Sequence, residues 1–369
     1  MLTVHPTLLI GPSDWQADRM PREEFDRRIN MLWRRCPAAS RAIVYGDARH
    51  HAELAYFTNF VPKLEPAVAL LSADGGHKLL VGGGANMIGA AKPLTFIENL
   101  APLGNGQAVA TWAAGDAGDW PTVPVAVGAR HMAVALRASI DAVARVFDHA
   151  HNADAEVWSL MRAKSSYELL ASRESCLVLR ATVAAIAKAA RSGATVTAAV
   201  LAGERAANTA GAQDVRTLFS VNNGRTLQPF VTPLDRSADP LQVYVAVRRF
   251  NYWSEAFAPI TERPLPAVEK ATELLKLALG TIKPGTDAAH VAQLIAAAMR
   301  PYRPHPVVER AFASTIGLAL DEPPFTDVAT FEAGEIYSVR TGVTDTGERH
   351  GIASAMIRVR DGGNDVLWS

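Results

Sequence analysis

The sequence predicts two domains: an α/β amino-terminal domain with a mixed sheet over residues 1–155, and an α+β carboxy-terminal domain over residues 156–369. Three observations lead to this prediction. The chain has 369 residues, more than a single hydrophobic core usually organises. Its first part contains closely spaced strand patterns. Its second part contains four long helical patterns that are separate from its strand patterns.

The composition indicates an ordered protein with a large core, since 49% of the residues are hydrophobic and 20% are charged. The 37 basic and 37 acidic residues balance, so we expect neither nucleic acid nor an anionic membrane as a partner. Pro6, Pro12 and Asp14 interrupt the first residues, and no secretory signal or membrane-spanning stretch is visible. Cys36 and Cys176 are expected to be free buried thiols. We therefore expect a cytoplasmic protein.

In the amino-terminal domain, residues 41–46 form an apolar run typical of a buried strand. Residues 66–72 and 77–82 are two further strand patterns separated by Asp74-Gly75-Gly76, which predicts a hairpin. A later strand is predicted at residues 123–128. Strands joined by a hairpin are antiparallel, so a mixed sheet is favoured over an all-parallel one.

The carboxy-terminal domain is predicted to begin with a long helix that ends near Arg191. Ser165 is followed three residues later by Glu168, the spacing of a capping box at a helix start. Other helical patterns cover about 195–208, 266–281 and 287–299, and Lys283-Pro284-Gly285 ends the third helix. Strand patterns at 242–247, 335–340 and 355–360 predict an antiparallel sheet.

Six short segments along the chain carry a family resemblance. They are Ala52-Glu-Leu-Ala-Tyr-Phe-Thr-Asn-Phe60, Trp158-Ser-Leu-Met-Arg-Ala-Lys-Ser-Ser-Tyr-Glu168, Phe250-Asn-Tyr-Trp-Ser-Glu255, Ile282-Lys-Pro-Gly285, Ile316-Gly-Leu-Ala-Leu-Asp-Glu-Pro-Pro324 and Phe331-Glu-Ala-Gly-Glu-Ile-Tyr-Ser-Val-Arg-Thr-Gly342. Together and in this order, they resemble segments of the pita-bread family, which includes creatinase, prolidase, aminopeptidase P and methionine aminopeptidase. The resemblance covers nearly the whole chain. It implies a creatinase-like amino-terminal domain, a pita-bread carboxy-terminal domain and a homodimer.

The resemblance also implies where a metal centre would lie, because the hydrolases of this family hold two metal ions with two Asp, one His and two Glu. At the matching positions this chain has Tyr244, Glu255, Ser314, Arg340 and either Ala353 or Ser354. Only Glu255 is anionic, and Arg340 adds positive charge. Divalent metal pairs need a dense set of anionic oxygen ligands. We therefore expect a divergent member with no metal and no other cofactor.

Two residues are the candidate catalytic groups. Creatinase resembles this case, because it hydrolyses a C–N bond without metal and has Glu at the position of Glu255. Its general-base histidine corresponds to Phe230, so a replacement base is needed. His350 is the candidate, since histidine titrates near neutral pH, and a histidine in a surface turn is the alternative. For Glu255, the alternative is a structural ion pair with Arg248 or Arg249.

Arg340 is the main candidate for substrate binding, because its planar guanidinium binds carboxylates through two hydrogen bonds. The alternative is an ion pair with Glu255 that fills the former metal site. Asp321 and Glu322 correspond to a His-Glu pair at the rim of the family's cleft, or are solvated loop acids. The remaining candidates are two aromatic residues, a second arginine, and a lysine that the family's dimers would bring towards a partner's cleft: Tyr252, Trp253, Arg349 and Lys63.

These residues are compatible with functions of different classes. The first is a metal-independent, creatinase-like enzyme that acts on a small amino-acid-like nitrogenous substrate, by C–N hydrolysis or a related elimination or rearrangement. The second is a non-catalytic pseudo-peptidase that binds a peptide or protein. The charged groups kept in the predicted site favour the enzyme. A metal-dependent Xaa-Pro aminopeptidase would require the motifs to be aligned differently.

Overall fold

The computed structural model describes residues 14–115, 124–222, 224–229, 234–308, 311–322 and 329–369. The chain divides into two compact units, Met1–Met161 and Arg162–Ser369. Within these described ranges, no helix is long and apolar enough to cross a membrane.

The first unit is built on a six-stranded sheet with the order β4-β3-β2-β1-β5-β6. Its strands are β1 (Arg41–Gly46), β2 (Ala67–Ser72), β3 (Lys78–Val81), β4 (Leu100–Pro102), β5 (Val125–Val127) and β6 (His151–Asn152). Its helices are α1 (Arg22–Arg35), α2 (Ala52–Thr58), α3 (Ile88–Ala91), α4 (Gln107–Ala114), α5 (Val134–Ala144), α6 (Val146–His149) and α7 (Asp154–Arg162), whose last residue begins the second unit.

The sheet of the first unit is mixed, which confirms the prediction. β2 pairs antiparallel with both β1 and β3, whereas β4, β5 and β6 join by parallel pairing. The β2–β3 hairpin turns where the sequence predicts it. There the Asp74 carboxylate accepts a 2.9 Å hydrogen bond from the Gly76 N–H, and Gly75 adopts φ of +88°. Glycine takes this left-handed conformation without steric cost.

The second unit contains α8 (Ser166–Arg191), α9 (Val196–Thr209), α10 (Pro266–Thr281) and α11 (Ala288–Met299). Its longer strands are β7 (Asp214–Ser220), β8 (Leu241–Arg249), β9 (Tyr252–Ile260), β14 (Ile336–Thr344) and β15 (His350–Arg358). The shorter strands are β10 (Thr286–Asp287), β11 (Arg303–Pro304), β12 (Ala313–Thr315), β13 (Thr330–Phe331) and β16 (Asp365–Trp368). The strands form the sheets β7-β8-β9, β11-β14-β15-β16 with β12 beside β14, and β10-β13.

Contacts of β9 and β14 with the helices show which of their side chains face the helices and which face away. On β9, the Ser254 hydroxyl lies 2.9 Å from that of Ser175 on α8. On β14, the Thr341 hydroxyl donates a 2.6 Å hydrogen bond to a backbone carbonyl of α10. Neighbouring side chains of a strand point to opposite faces. Glu255 and Arg340 therefore point away from α8 and α10, towards the region where β9 contacts β15.

The start of α8 provides a test of its predicted cap. The Glu168 N–H donates to the Ser165 hydroxyl at 3.3 Å, and the Ser165 N–H donates to the Glu168 carboxylate at 3.0 Å, so the capping box is present. Ser165→Ala removes one of these hydrogen bonds and is expected to lower the free energy of unfolding by about 1 kcal/mol. Chemical denaturation measures this, with Ser166→Ala as the matched control. Equal effects of the two substitutions would contradict a capping role.

Candidate functional site

The centre of the candidate site is the carboxylate of Glu255, whose side chain is 5% exposed. On the paired strands β8 and β9, Tyr244 lies opposite Phe257, and Ala246 lies opposite Glu255. Tyr244 and Glu255 are therefore diagonal neighbours on one face of the sheet. The Tyr244 hydroxyl donates a 2.7 Å hydrogen bond to Glu255 Oε2.

Arg340, on β14 of the sheet β11-β14-β15-β16, contacts the same carboxylate. Its Nη1 lies 3.3 Å from Glu255 Oε1, and its Nε donates a 3.1 Å hydrogen bond to the Ala311 carbonyl. Both oxygens of Glu255 are thus bound within the protein. Of the three arginines considered as partners of Glu255, the structure pairs it with Arg340, whereas Arg248 lies 3.8 Å from Asp214 and Arg249 donates to the Gly211 carbonyl.

The five positions that the resemblance assigns to metal ligands meet in one place, which we call the corner site: Tyr244, Glu255, Ser314, Arg340 and Ser354. Arg340 lies opposite Ser354 in the β14–β15 register, and Ser314 lies opposite Ser338 on β14. The Ser354 hydroxyl accepts a 2.8 Å hydrogen bond from the Phe257 N–H at the edge of β9. Of the two alternatives for the last position, Ser354 is the residue opposite Arg340.

The donor set of the corner site does not fit a pair of divalent metal ions. It offers one carboxylate, one phenol, two hydroxyl groups and one guanidinium. Burial, and then the charge of Glu255, raise the pKa of Tyr244, so its phenol stays protonated. In the part of the chain that the structure describes, no three His, Cys, Asp or Glu residues are grouped so that they would hold a metal ion.

Asp321 belongs to the electrostatic surroundings of the corner site. Although this residue is exposed, partial desolvation raises the pKa of its carboxyl group. The charge of Arg340 lowers this pKa, and the charge of Glu255 raises it. Asp321 thus lies within electrostatic range of both partners of the central ion pair.

A pocket of about 380 Å³ has Arg340 among its lining residues. We call it the Arg340 pocket. Its wall is largely apolar and includes side chains of α11, the segment before β12 and the end of β14; among these residues are Ile295, Met299, Phe312, Thr341 and Gly342. Its volume lies within the range of small-molecule sites, and the arginine at its wall supplies the charged group that orients a ligand.

His350 lies on the same strand as Ser354, but four residues away, which is about 13 Å along an extended strand. Its side chain is buried, and its Nδ1 lies 2.9 Å from the Thr344 hydroxyl. Its ring packs edge-on against His305, with 5.1 Å between the ring centroids. The structure therefore places the two predicted catalytic groups, Glu255 and His350, in different clusters.

The two predicted aromatic candidates lie on opposite faces of β9. Tyr252 faces α8, where its hydroxyl donates a 3.0 Å hydrogen bond to Glu168, so the structure does not bring it to the corner site. Trp253 lies on the same face as Glu255 but is buried. The guanidinium carbons of Arg216 and Arg248 lie 4.6 and 5.3 Å from its ring centre.

The other predicted site residues have structural partners away from the corner site. Glu322 is not at an exposed rim but buried, and its carboxylate lies 2.5 Å from Lys164 Nζ. Arg349 pairs with Asp345 at 2.7 Å within the β14–β15 turn. Lys63 lies in the first unit, and its role at a partner's cleft stays a prediction. Phe230 lies outside the described residues.

Sequence reasoning missed three side chains near these groups. Lys164 lies within one of the segments that carry the resemblance, yet nothing in that pattern indicates that it neutralises Glu322. His305, whose Nε2 lies 2.9 Å from the Gly224 carbonyl, follows a short strand without a recognisable motif. Arg216 lies on a strand, β7, that was not predicted.

Comparison with known proteins supports the fold. No protein-family model matches the chain, and no curated protein matches it. Solved structures do match. The prolidase from Pyrococcus horikoshii OT3 superposes with a TM-score of 0.73 at 14% identity, over 94% of this chain and 98% of that one. The X-Pro aminopeptidase from Thermotoga maritima MSB8 has the same TM-score and identity, over 94% and 97% of the two chains. Zinc-substituted E. coli aminopeptidase P gives 0.71 at 14% identity, over 96% and 95%.

The chain therefore has the two-domain pita-bread fold of the prolidases and aminopeptidases P, as its sequence motifs predict. The similarity extends over almost the full length of both chains. At 14% identity it establishes the fold and leaves the chemistry to the residues of the site.

The Lys164–Glu322 pair generates a prediction about stability. Both side chains are nearly inaccessible, at 2% and 3% exposed, and Glu322 also accepts a 2.7 Å hydrogen bond from the Leu318 N–H. Lys164→Met leaves a buried carboxylate without its counter-charge and is expected to cost about 3 to 5 kcal/mol of unfolding free energy. The double substitution Lys164→Met with Glu322→Leu should recover part of that loss.

Lys270→Met, which breaks an exposed pair with Glu273, is the control and should cost less than about 1 kcal/mol. Equal losses in the two single variants would contradict a buried pair.

The burial of His350 generates a prediction about pH. Burial lowers the pKa of His350 below the ordinary value of 6.5; Glu348 and Asp345 oppose this shift, and Arg225 and Arg303 add to it. The folded protein therefore takes up this proton less readily than the unfolded chain does. Its contribution to stability is complete above about pH 6.5 and is lost as the pH falls below that value.

His350→Gln removes this titration and should flatten the fall in unfolding free energy between pH 7.5 and 5.5. Denaturant unfolding at several pH values in this window measures the slope. His149→Gln changes an exposed histidine of the first unit, and it serves as the control. A slope unchanged by His350→Gln would contradict this assignment.

Proposed function

We propose that this protein is a metal-independent enzyme that binds a small, amino-acid-like substrate through its carboxylate at Arg340 and cleaves a C–N bond beside Glu255. One observation carries the proposal: Arg340 joins the corner site to the Arg340 pocket. It touches the buried acid on one side and lines a cavity of about 380 Å³ on the other.

Arg340 has hydrogen-bonding capacity left for a ligand. A guanidinium has five N–H donors in a fixed plane. One, on Nε, is used by the Ala311 carbonyl, and one on Nη1 is used by Glu255. The other donors have no partner among the described residues, and the side chain is 18% exposed. A substrate carboxylate is the anion that this planar arrangement suits.

The apolar wall of the Arg340 pocket supports a substrate with a hydrocarbon portion next to its carboxylate. Ile295, Met299 and Phe312 supply apolar surface there. An amino acid or short peptide with an aliphatic side chain combines these two features. The solved structures with the same fold include proteins named prolidase, X-Pro aminopeptidase and Xaa-Pro dipeptidase, which makes small peptides a suitable first set of substrates.

The catalytic step that we propose uses Glu255 as the base. A substrate carboxylate at Arg340 competes with Glu255 for the guanidinium, which leaves the Glu255 carboxylate free to accept a proton. Water gives that proton to Glu255 as its oxygen bonds to the substrate carbon, and the proton passes to the leaving nitrogen when the C–N bond breaks. Tyr244 stays protonated and orients the carboxylate through its 2.7 Å hydrogen bond.

A second function, ligand binding without catalysis, is favoured by a specific observation. Both oxygens of Glu255 accept hydrogen bonds, from Tyr244 and Arg340, so side chains of the protein itself engage the acid. A closed network of this kind is also what a pseudo-peptidase would retain. The two functions differ in whether Glu255 is needed for turnover.

The proposal predicts carboxylate-dependent binding that survives removal of metal ions. Dipeptides with aliphatic side chains are expected to bind after dialysis against a chelator, and their carboxy-amidated forms to bind at least tenfold more weakly. Arg340→Met should weaken binding of the free acids about 10- to 100-fold, the range for losing hydrogen bonds to a charged group. Titration calorimetry measures this, with Arg173→Met, a change at an exposed arginine of α8, as the control.

Turnover separates the two functions. If the protein is an enzyme, amine release from the bound dipeptides persists with chelator, and Glu255→Gln abolishes it while binding remains. Binding without release in the unchanged protein would support the pseudo-peptidase instead. About two bound metal ions per chain together with chelator-sensitive release would overturn metal independence.

A further inference from the structure

We infer that Arg216 is a second anion-binding residue of the corner site and that it makes the protein prefer ligands with two carboxylates. This inference rests on the proposed function and specifies its substrate class. It concerns a residue that neither the motifs nor the assigned metal positions include.

The register of the three-stranded sheet places Arg216 beside Glu255. Arg216 on β7 lies opposite Ala246 on β8, and Ala246 lies opposite Glu255 on β9. Directly paired side chains share a face of the sheet, so all three point the same way. Strands are spaced about 4.8 Å apart, so the Cα atoms of Arg216 and Glu255 are about 10 Å apart. Between them stands only the methyl group of Ala246.

Trp253 holds the Arg216 side chain in place without using its hydrogen-bond donors. The guanidinium carbon lies 4.6 Å from the ring centre, a cation–π arrangement. Asp214 lies 3.9 Å from Arg216 and 3.8 Å from Arg248, so two arginines share one carboxylate at long range. In the described part of the chain the Arg216 guanidinium makes no hydrogen bond, and the side chain is 56% exposed.

The Tyr244 phenol is within electrostatic range of both arginines. Tyr244 is the diagonal neighbour of Arg216 across β7 and β8, and it donates to the carboxylate that Arg340 binds. The charges of Arg216 and Arg340 both lower the pKa of Tyr244, although burial and Glu255 raise it more. The sheet register and these charge effects place both arginines around the Tyr244–Glu255 pair.

The chemistry of these groups selects the ligand. Glu255 already balances the charge of Arg340, whereas Asp214 is shared by Arg216 and Arg248. The guanidinium of Arg216 is exposed and keeps its donors unused among the described residues, on the side of the corner site formed by β7. A ligand whose first carboxylate binds Arg340 would place a second one, a few bonds away, at Arg216. Dipeptides that end in an acidic residue have this arrangement.

The test compares two dipeptides that differ only in that second charge, alanyl-glutamate and alanyl-glutamine. The unchanged protein should bind alanyl-glutamate at least tenfold more tightly in titration calorimetry. Arg216→Gln should remove this preference and leave the affinity for alanyl-glutamine unchanged, while Arg216→Lys should keep part of the preference. Arg173→Gln is the control, and circular dichroism verifies that each variant is folded.

The outcomes distinguish this inference from the proposed function. If neither dipeptide binds the unchanged protein, the proposed function fails and this inference fails with it. If both bind the unchanged protein equally, the proposed function stands and the role of Arg216 is overturned. If Arg216→Gln weakens both dipeptides to the same extent, Arg216 supports Trp253 structurally and does not recognise the second carboxylate.

Discussion

The arrangement of the second unit depends on one buried carboxylate, that of Glu255, which accepts hydrogen bonds from both sheets. Tyr244 donates to it from the sheet β7-β8-β9, and Arg340 donates to it from the sheet β11-β14-β15-β16. An isolated carboxylate at 5% exposure would be costly to bury, and the arginine offsets that cost. A neighbouring hydrogen bond joins the same two sheets: the Ser354 hydroxyl accepts it from the Phe257 N–H at the edge of β9. The ion pair therefore lies at the contact between the two sheets, and a substitution in this pair is expected to change how both sheets pack.

The charged groups of the corner site balance within the protein. Several carboxylates around one point repel each other unless cations lie between them. Here the guanidinium of Arg340 lies beside the carboxylate of Glu255, and the Tyr244 phenol donates to the same carboxylate, so one acid is balanced by one base. Arg340 is also one of the residues that line the Arg340 pocket. The ion pair thus stabilises the contact between the two sheets.

Much of the fold was predictable because its signals are local. The Ser165–Glu168 spacing, the turn at Asp74-Gly75-Gly76 and the apolar runs each act within a few residues. Strand ends and side-chain partners were not predictable in the same way. β14 and β15 extend to Thr344 and from His350, beyond the patterns that indicated them. Tyr252, two residues from Ser254 on the same face of β9, turns towards α8, a direction set by the phase of the strand and not by residue type.

The long-range pairs show why candidate site residues are harder to predict than folds. Glu322 was expected at the rim of a cleft from the family resemblance, or else as a solvated loop acid, but Lys164, 158 positions away, gives it a buried counter-charge. Sequence alone also could not choose between a substrate and Glu255 as the partner of Arg340. The structure contains the internal pair and also a pocket that has Arg340 among its lining residues. A carboxylate that enters this pocket must share the guanidinium with Glu255, so ligand binding and the state of the buried acid are physically coupled. Because of that coupling, the ion pair of Arg340 with Glu255 is compatible with the proposed binding of a carboxylate by the same side chain.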